Sequence, residues 1–201
     1  MADYKKEWFT KSQVDYYIPF LSLWLSCNNW YKFQYTLAND RVHVNKIKSD
    51  FTSNNKLFKE FDKLFTGSFS KEQKSLFTNI ELLHYSLYRE VLKPLILKNP
   101  LNFECVLIDY SQKAVPTAYT AVIIKNAKTS KGKLKASVSG VDFGELVFIN
   151  DSKKVFAGLF EIIYQVRCLL VHGDLEPTEG NHEIIKYCYL ILADLMKPFC
   201  T

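Results

Sequence analysis

Val155-Phe156-Ala157-Gly158-Leu159-Phe160-Glu161-Ile162-Ile163-Tyr164-Gln165-Val166-Arg167-Cys168-Leu169-Leu170-Val171-His172-Gly173 is the stretch on which the fold turns. Val155, Leu159, Ile162, Ile163, Val166 and Leu170 recur at three- and four-residue spacing, which places them on one stripe of a helix. Gly173 is its natural stop, because glycine takes the left-handed backbone that ends a helix without strain. Arg167 lies on one flank of the stripe, and His172 about 140° further round. Tyr164, Cys168 and Val171 fall between them on the side away from the stripe, with Glu161 nearby. That side mixes ring, thiol, methyl and polar groups, so it suits a second helix. The helix could belong to an identical protomer, whose two-fold symmetry brings two Arg167 and two His172 to one seam, or to the same chain.

Working outward, the other segments also read as helices. One begins between Ser12 and Pro19 and runs to about Ala38, with Tyr17, Phe20, Leu21, Trp24, Tyr31 and Tyr35 on one face. Asn39-Asp40 offers a break and a new N-cap. Residues 41–65 are helical with an interruption at Ser53-Asn54-Asn55. Ser70-Lys71-Glu72-Gln73 has the capping-box pattern and starts a helix that should stop near Pro94, with Pro100 past its end. Ile184, Cys188, Ile191, Leu192 and Leu195 form the stripe of the last helix. Residues 101–150 differ: Phe103 to Ile108 and Tyr119 to Ile124 are β-like runs, so this is an irregular insertion with short strands or a hairpin. The expected fold is a mainly α helical bundle, one domain over 1–201, with the insertion inside it.

Composition sets the outer limits. The chain has 201 residues, of which 48% are apolar, and only 7 are glycine. It can bury a sizeable core and is not of the disordered class. The five cysteines are widely spaced without a C-x-x-C, as reduced thiols are, rather than a disulfide framework or a zinc site. The start, Met1-Ala2-Asp3-Tyr4-Lys5-Lys6, lacks the apolar core of a signal peptide. The longest uncharged run, Tyr16 to Tyr31, is too short and too polar to span a membrane. The protein therefore reads as soluble and cytoplasmic, with no membrane partner. Net charge is +5. Lys113, Lys125, Lys128, Lys131, Lys133 and Lys135 lie in a stretch without any acidic residue. Lys131 and Lys133 are candidate phosphate contacts there, against the alternative of a solvated loop.

Arg167 and His172 carry the candidate chemistry. A histidine in a last turn can take and give a proton near neutral pH, while an arginine stays charged and offers a planar fork to a phosphate. The reaction that fits is attack of a ribose 2′-hydroxyl on its own phosphodiester, with arginine stabilising the charge that grows on the phosphate oxygens. It requires no metal and no cofactor. His43, His84 and His182 have no acidic or cysteine partner at metal-ligand spacing. Asn28, between Trp24 and Tyr31, is either a phosphate contact or buttress of the Arg167 helix, or a core amide that fixes helix packing.

The stretch from Ile163 to Gly173 resembles the signature helix of the HEPN superfamily (higher eukaryotes and prokaryotes nucleotide-binding domain), in which an arginine is followed after four to six residues by a histidine. Here the spacer is residues 168–171. Leu23-Trp24-Leu25-Ser26-Cys27-Asn28-Asn29-Trp30-Tyr31 resembles the tryptophan–asparagine–tyrosine helix of many bacterial members. The resemblance is strongest over residues 16–36 and 155–196 and does not extend to the insertion. One position departs from it: the residue after the arginine, often polar in the family, is Cys168. The resemblance implies an all-α bundle, a homodimer through the 151–172 helix and a composite site at the seam. It implies a metal-independent endoribonuclease, with Arg167 and His172 catalytic and the product a 2′,3′-cyclic phosphate. It also implies RNA, tRNA included, as substrate, a role as toxin or anti-phage effector, and an antitoxin or regulatory protein as partner. Two other functions fit the same residues: a HEPN module that binds RNA, nucleotide or a partner protein without cutting, and a dimerisation scaffold.

Overall fold

The computed structural model describes residues 15–68, 70–89, 101–104 and 121–200. The expected helix exit at Pro94 and Pro100, the chain start, Lys113 and most of the 103–108 run lie outside them. Among the described residues there are six helices and one two-stranded sheet, so the fold is mainly α with a small β element.

Helix α1 spans Tyr17–Tyr35. Pro19 sits in its first turn, where a backbone N–H has no helical partner to lose. The helix stops at Tyr35, short of Ala38, and Thr36 takes a left-handed φ of 46°. The cause is His43. Its Nε2 accepts from the Leu37 N–H at 3.1 Å, while its Nδ1 donates to the Asn39 carbonyl at 2.8 Å. The loop is wrapped around one imidazole, and the helical ladder ends there.

Helix α2 spans Asp40–Ser49 and α3 Lys56–Thr66. Each has an asparagine cap: Asn39 accepts from the Val42 N–H and Asn55 from the Phe58 N–H, both at 3.1 Å. Asn55 is fully buried, and its Nδ2 also donates to the Ile47 and Asp50 carbonyls, each at 2.8 Å. It therefore closes α2 and opens α3 with one side chain. Replacing it by alanine leaves two buried acceptors and one donor unpaired. Asn55→Ala should cost about 2–3 kcal/mol, read as a shifted urea midpoint with an unchanged slope.

Helix α4 spans Lys71–Arg89. Ser70 accepts from the Gln73 N–H at 3.0 Å, the first half of the expected box. Gln73 does not reach back. Its Nε2 donates to the Leu64 and Gly67 carbonyls, both at 2.8 Å, and so ties the end of α3 to the start of α4.

Strands β1, Gly140–Asp142, and β2, Val147–Ile149, pair antiparallel, with Val141 opposite Phe148. Ile123 bridges to Phe148 on the other edge, and the Val122 carbonyl accepts from the Ile149 N–H, so part of the second β-like run lies against the hairpin. The hairpin turn is pinned to α4. Glu81 accepts from the Leu146 N–H at 2.9 Å, and Phe143 stacks on Phe77 with ring centroids 3.7 Å apart. Gly144 has a φ of 128°, and an added Cβ there would lie 2.9 Å from the Glu81 carboxylate.

Helices α5, Ser152–His172, and α6, Glu179–Cys200, complete the bundle. Helix α6 lies along α4 and α1, and α5 lies along α2 and α3. Every residue from Val155 to Val166 is buried. Helix α5 has the length and apolarity of a membrane span, which here serve burial on nearly all sides within the bundle. A chain of rings runs along it: Phe58, Phe61, Phe156, Phe160, Trp24 and Tyr164. Gly173 ends it with a φ of 75°, as its position required.

Candidate functional site

The last turn and a half of α5 emerges from the core. Val166 is buried, Arg167 and Cys168 are half-buried, and Val171 and His172 are exposed. Helix α1 runs beside this end, and its Trp24 places an indole 5.7 Å from the Arg167 guanidinium carbon. The first turn of α2 supplies Asp40.

Asp40 is the junction. Its Oδ2 lies 3.5 Å from Arg167 Nη2, and Asn28 Nδ2 lies 3.4 Å from the same carboxylate. Lys32 Nζ reaches Oδ1 at 3.5 Å. Three donors from α1 and α5 thus converge on one carboxylate whose side chain is 26% exposed. Arg167 Nη1 faces the Cys168 sulfur at 4.0 Å, and Arg167 Nε has no hydrogen-bond partner among the described residues. Trp24 Nε1 and the Tyr31 hydroxyl are likewise buried without partners there. This end of the bundle is rich in donors beyond what its own acceptors use.

Behind Asp40, α2 is bolted to α5 by Glu161. The Glu161 carboxylate, 4% exposed, accepts from Lys48 Nζ at 2.6 Å, Arg41 Nη1 at 2.9 Å and Gln165 Nε2 at 2.6 Å. Burial alone would raise its pKa. Lys48 and then Arg41 reverse this and hold the carboxyl below the usual glutamate range. The Arg41 guanidinium also covers the Tyr164 ring at 4.3 Å. Burial, with the Cys168 thiol beside it, pushes the Tyr164 phenol up to about 12, so at neutral pH it is a packing and hydrogen-bonding group and not a base.

The expected site residues are thus distributed unevenly. Arg167 and Asn28 meet at Asp40. Asn28 is half-buried and bonded through a carboxylate, so it buttresses α5 indirectly and keeps an accessible side. His172 is exposed in the last turn and makes no hydrogen bond or ion pair among the described residues. Lys131 and Lys133 are exposed on a turn closed by the Thr129 N–H to Lys133 carbonyl bond, and no contact joins them to Arg167. Their insertion is anchored at the start of α5, and Arg167 is about 22 Å along the helix from Ser152. Two lysines of that stretch are neutralised, Lys125 by Glu104 and Lys128 by Asp142.

The side of α5 carrying Glu161 and Tyr164 is covered by α2 and α1 of the same chain. The helix expected to form the seam, 151–172, is therefore buried within the chain from Val155 to Val166 and exposed at its two ends. Asp40, which reads in sequence only as a helix start, is the residue that organises the site. Its proximity to Arg167 joins positions far apart in the chain, and no local pattern signals it. No protein-family model, curated protein or solved structure matches the chain.

Proposed function

We propose that this protein is a HEPN-type endoribonuclease that needs no metal, with a role as toxin or anti-phage effector. The observation that carries the reading is the meeting of Asn28 and Arg167 at Asp40. The two segments that resemble HEPN helices come from opposite ends of the chain and abut at one half-open corner, and His172 is exposed five residues beyond Arg167 on α5. The 2′-hydroxyl gives its proton to His172 as its oxygen attacks phosphorus. The bond from phosphorus to the 5′-oxygen breaks, and that oxygen takes the proton back from His172. Arg167 holds the negative charge on the phosphate oxygens throughout. The second copy would meet the last turn of α5 and the outer face of α1, where Ile18, Leu25 and Phe33 are 65%, 66% and 89% exposed.

A second reading, a module that binds RNA without cutting it, is favoured by Cys168 and by the lack of any group orienting the His172 ring among the described residues. One experiment separates the two. The purified protein is incubated with total RNA and with tRNA in excess chelator, and the fragment ends are identified. Fragments ending in 2′,3′-cyclic phosphate are the expected result. Intact RNA that nonetheless co-purifies or shifts on a gel would establish the binding module instead.

A further inference from the structure

Asp40 makes contacts that a bound phosphate group would make. Arg167, Asn28 and Lys32 all aim donors at its two oxygens, from two different helices. All of these contacts are long, between 3.4 and 3.5 Å. A well-formed pair between a cation and a carboxylate closes to about 2.7–2.9 Å, as Glu161 does with Arg41 at 2.9 Å in the same helix pair. Asp40 is also not needed as a cap, because Asn39 caps α2 with its own side chain. Two cations and an amide around one loosely held carboxylate leave the corner with a net positive charge once that carboxylate moves aside.

We infer that Asp40 is an internal occupant of a phosphate site formed by Arg167, Asn28 and Lys32, and that a phosphate group on the ligand must displace it. Asp40 thereby acts as a latch that lowers resting affinity. This rests on the reading of Arg167 as a phosphate clamp, and it adds Lys32 to the site and a regulatory role for Asp40. A phosphate diester of RNA and inorganic phosphate share the chemistry, so both are used as probes.

The test measures binding without cleavage. A fluorescent single-stranded RNA with every 2′-hydroxyl methylated, which cannot be cut by 2′-attack, is titrated with the full chain. Asp40→Asn keeps the size and leaves the Asn39 cap. It should tighten binding about five-fold, the scale of one lost charge repulsion at a partly exposed site. Inorganic phosphate should compete better against the labelled RNA on Asp40→Asn than on the wild type. In an Arg167→Gln background the Asp40→Asn gain should vanish, and Lys32→Gln should weaken binding to Asp40→Asn more than to the wild type. Unchanged or weaker binding by Asp40→Asn overturns the latch, as does a gain that survives Arg167→Gln, since that gain would come from net charge alone. RNA cleavage without any Asp40→Asn gain would remove this inference and leave the nuclease standing. A gain in a protein that never cuts RNA would do the reverse.

Discussion

Glu161→Ala is expected to lower the stability of this protein by about 3 kcal/mol at neutral pH, because it takes the carboxylate away from two largely enclosed cations. The side chains of Lys48 and Arg41 are only 10% and 22% exposed, and both point at the Glu161 carboxylate. Solvent cannot replace what the mutation removes. The same argument gives the sign of the pH dependence. The Glu161 carboxyl is held below the ordinary glutamate range, so its contribution is complete above the pKa it has in the unfolded chain. The contribution is lost as pH falls through the lower, folded value. Urea unfolding at pH 7 should therefore show the largest gap between wild type and variant, and the gap should narrow in acid. The double change Glu161→Leu with Lys48→Met should recover much of the loss, since a buried pair replaced by apolar groups of similar size is often neutral. A loss below about 1 kcal/mol for Glu161→Ala would show that water reaches these cations. The site depends on the same bolt, because Glu161 fixes the helix that presents Asp40 to Arg167.

The local grammar of the chain was readable, and the long-range electrostatics were not. The stripe of α5, the stop at Gly173, the Asn39 start and the break before Asn55 all follow from spacing and capping, which act within a few residues. The early end of α1 does not, because it is imposed by His43 from the next helix. Glu161 illustrates the limit best. It is the only charged residue from Val155 to Val166, and a lone carboxylate in so apolar a helix demands a buried cation. The sequence thus contained the demand but not the donors, Arg41 and Lys48, which lie on another helix. Covering this side of α5 from within the chain also decides where a second protomer can approach. Residues 113–141 of the insertion read as a positive stretch because no acid occurs within them. Folding brings Glu104 and Asp142 in from outside that stretch, and the surviving exposed lysines are anchored away from Arg167.

His172→Ala and Arg167→Ala are each expected to reduce RNA cleavage by about 10²–10⁴-fold, the range seen when a general acid/base or a charge-stabilising donor is removed. His172 is the cleaner probe. It is exposed and makes no hydrogen bond among the described residues, so its loss should change stability by less than about 0.5 kcal/mol. Arg167 touches Asp40 and the Trp24 ring, so Arg167→Ala should cost some stability as well, and folding must be measured beside activity. Arg167→Lys should not restore the rate, because a point charge cannot reproduce the guanidinium fork. The double variant should be little worse than either single one if both residues serve one transition state. Mixing the two inactive single variants then tests the seam. In a shared site, a mixed pair contributes Arg167 from one copy and His172 from the other, so some cleavage should return after subunit exchange. Cleavage that persists unchanged in both single variants would remove these residues from the chemistry. Single variants that are inactive, and stay inactive when mixed despite proven exchange, would place a complete site within each chain and end the case for a composite one.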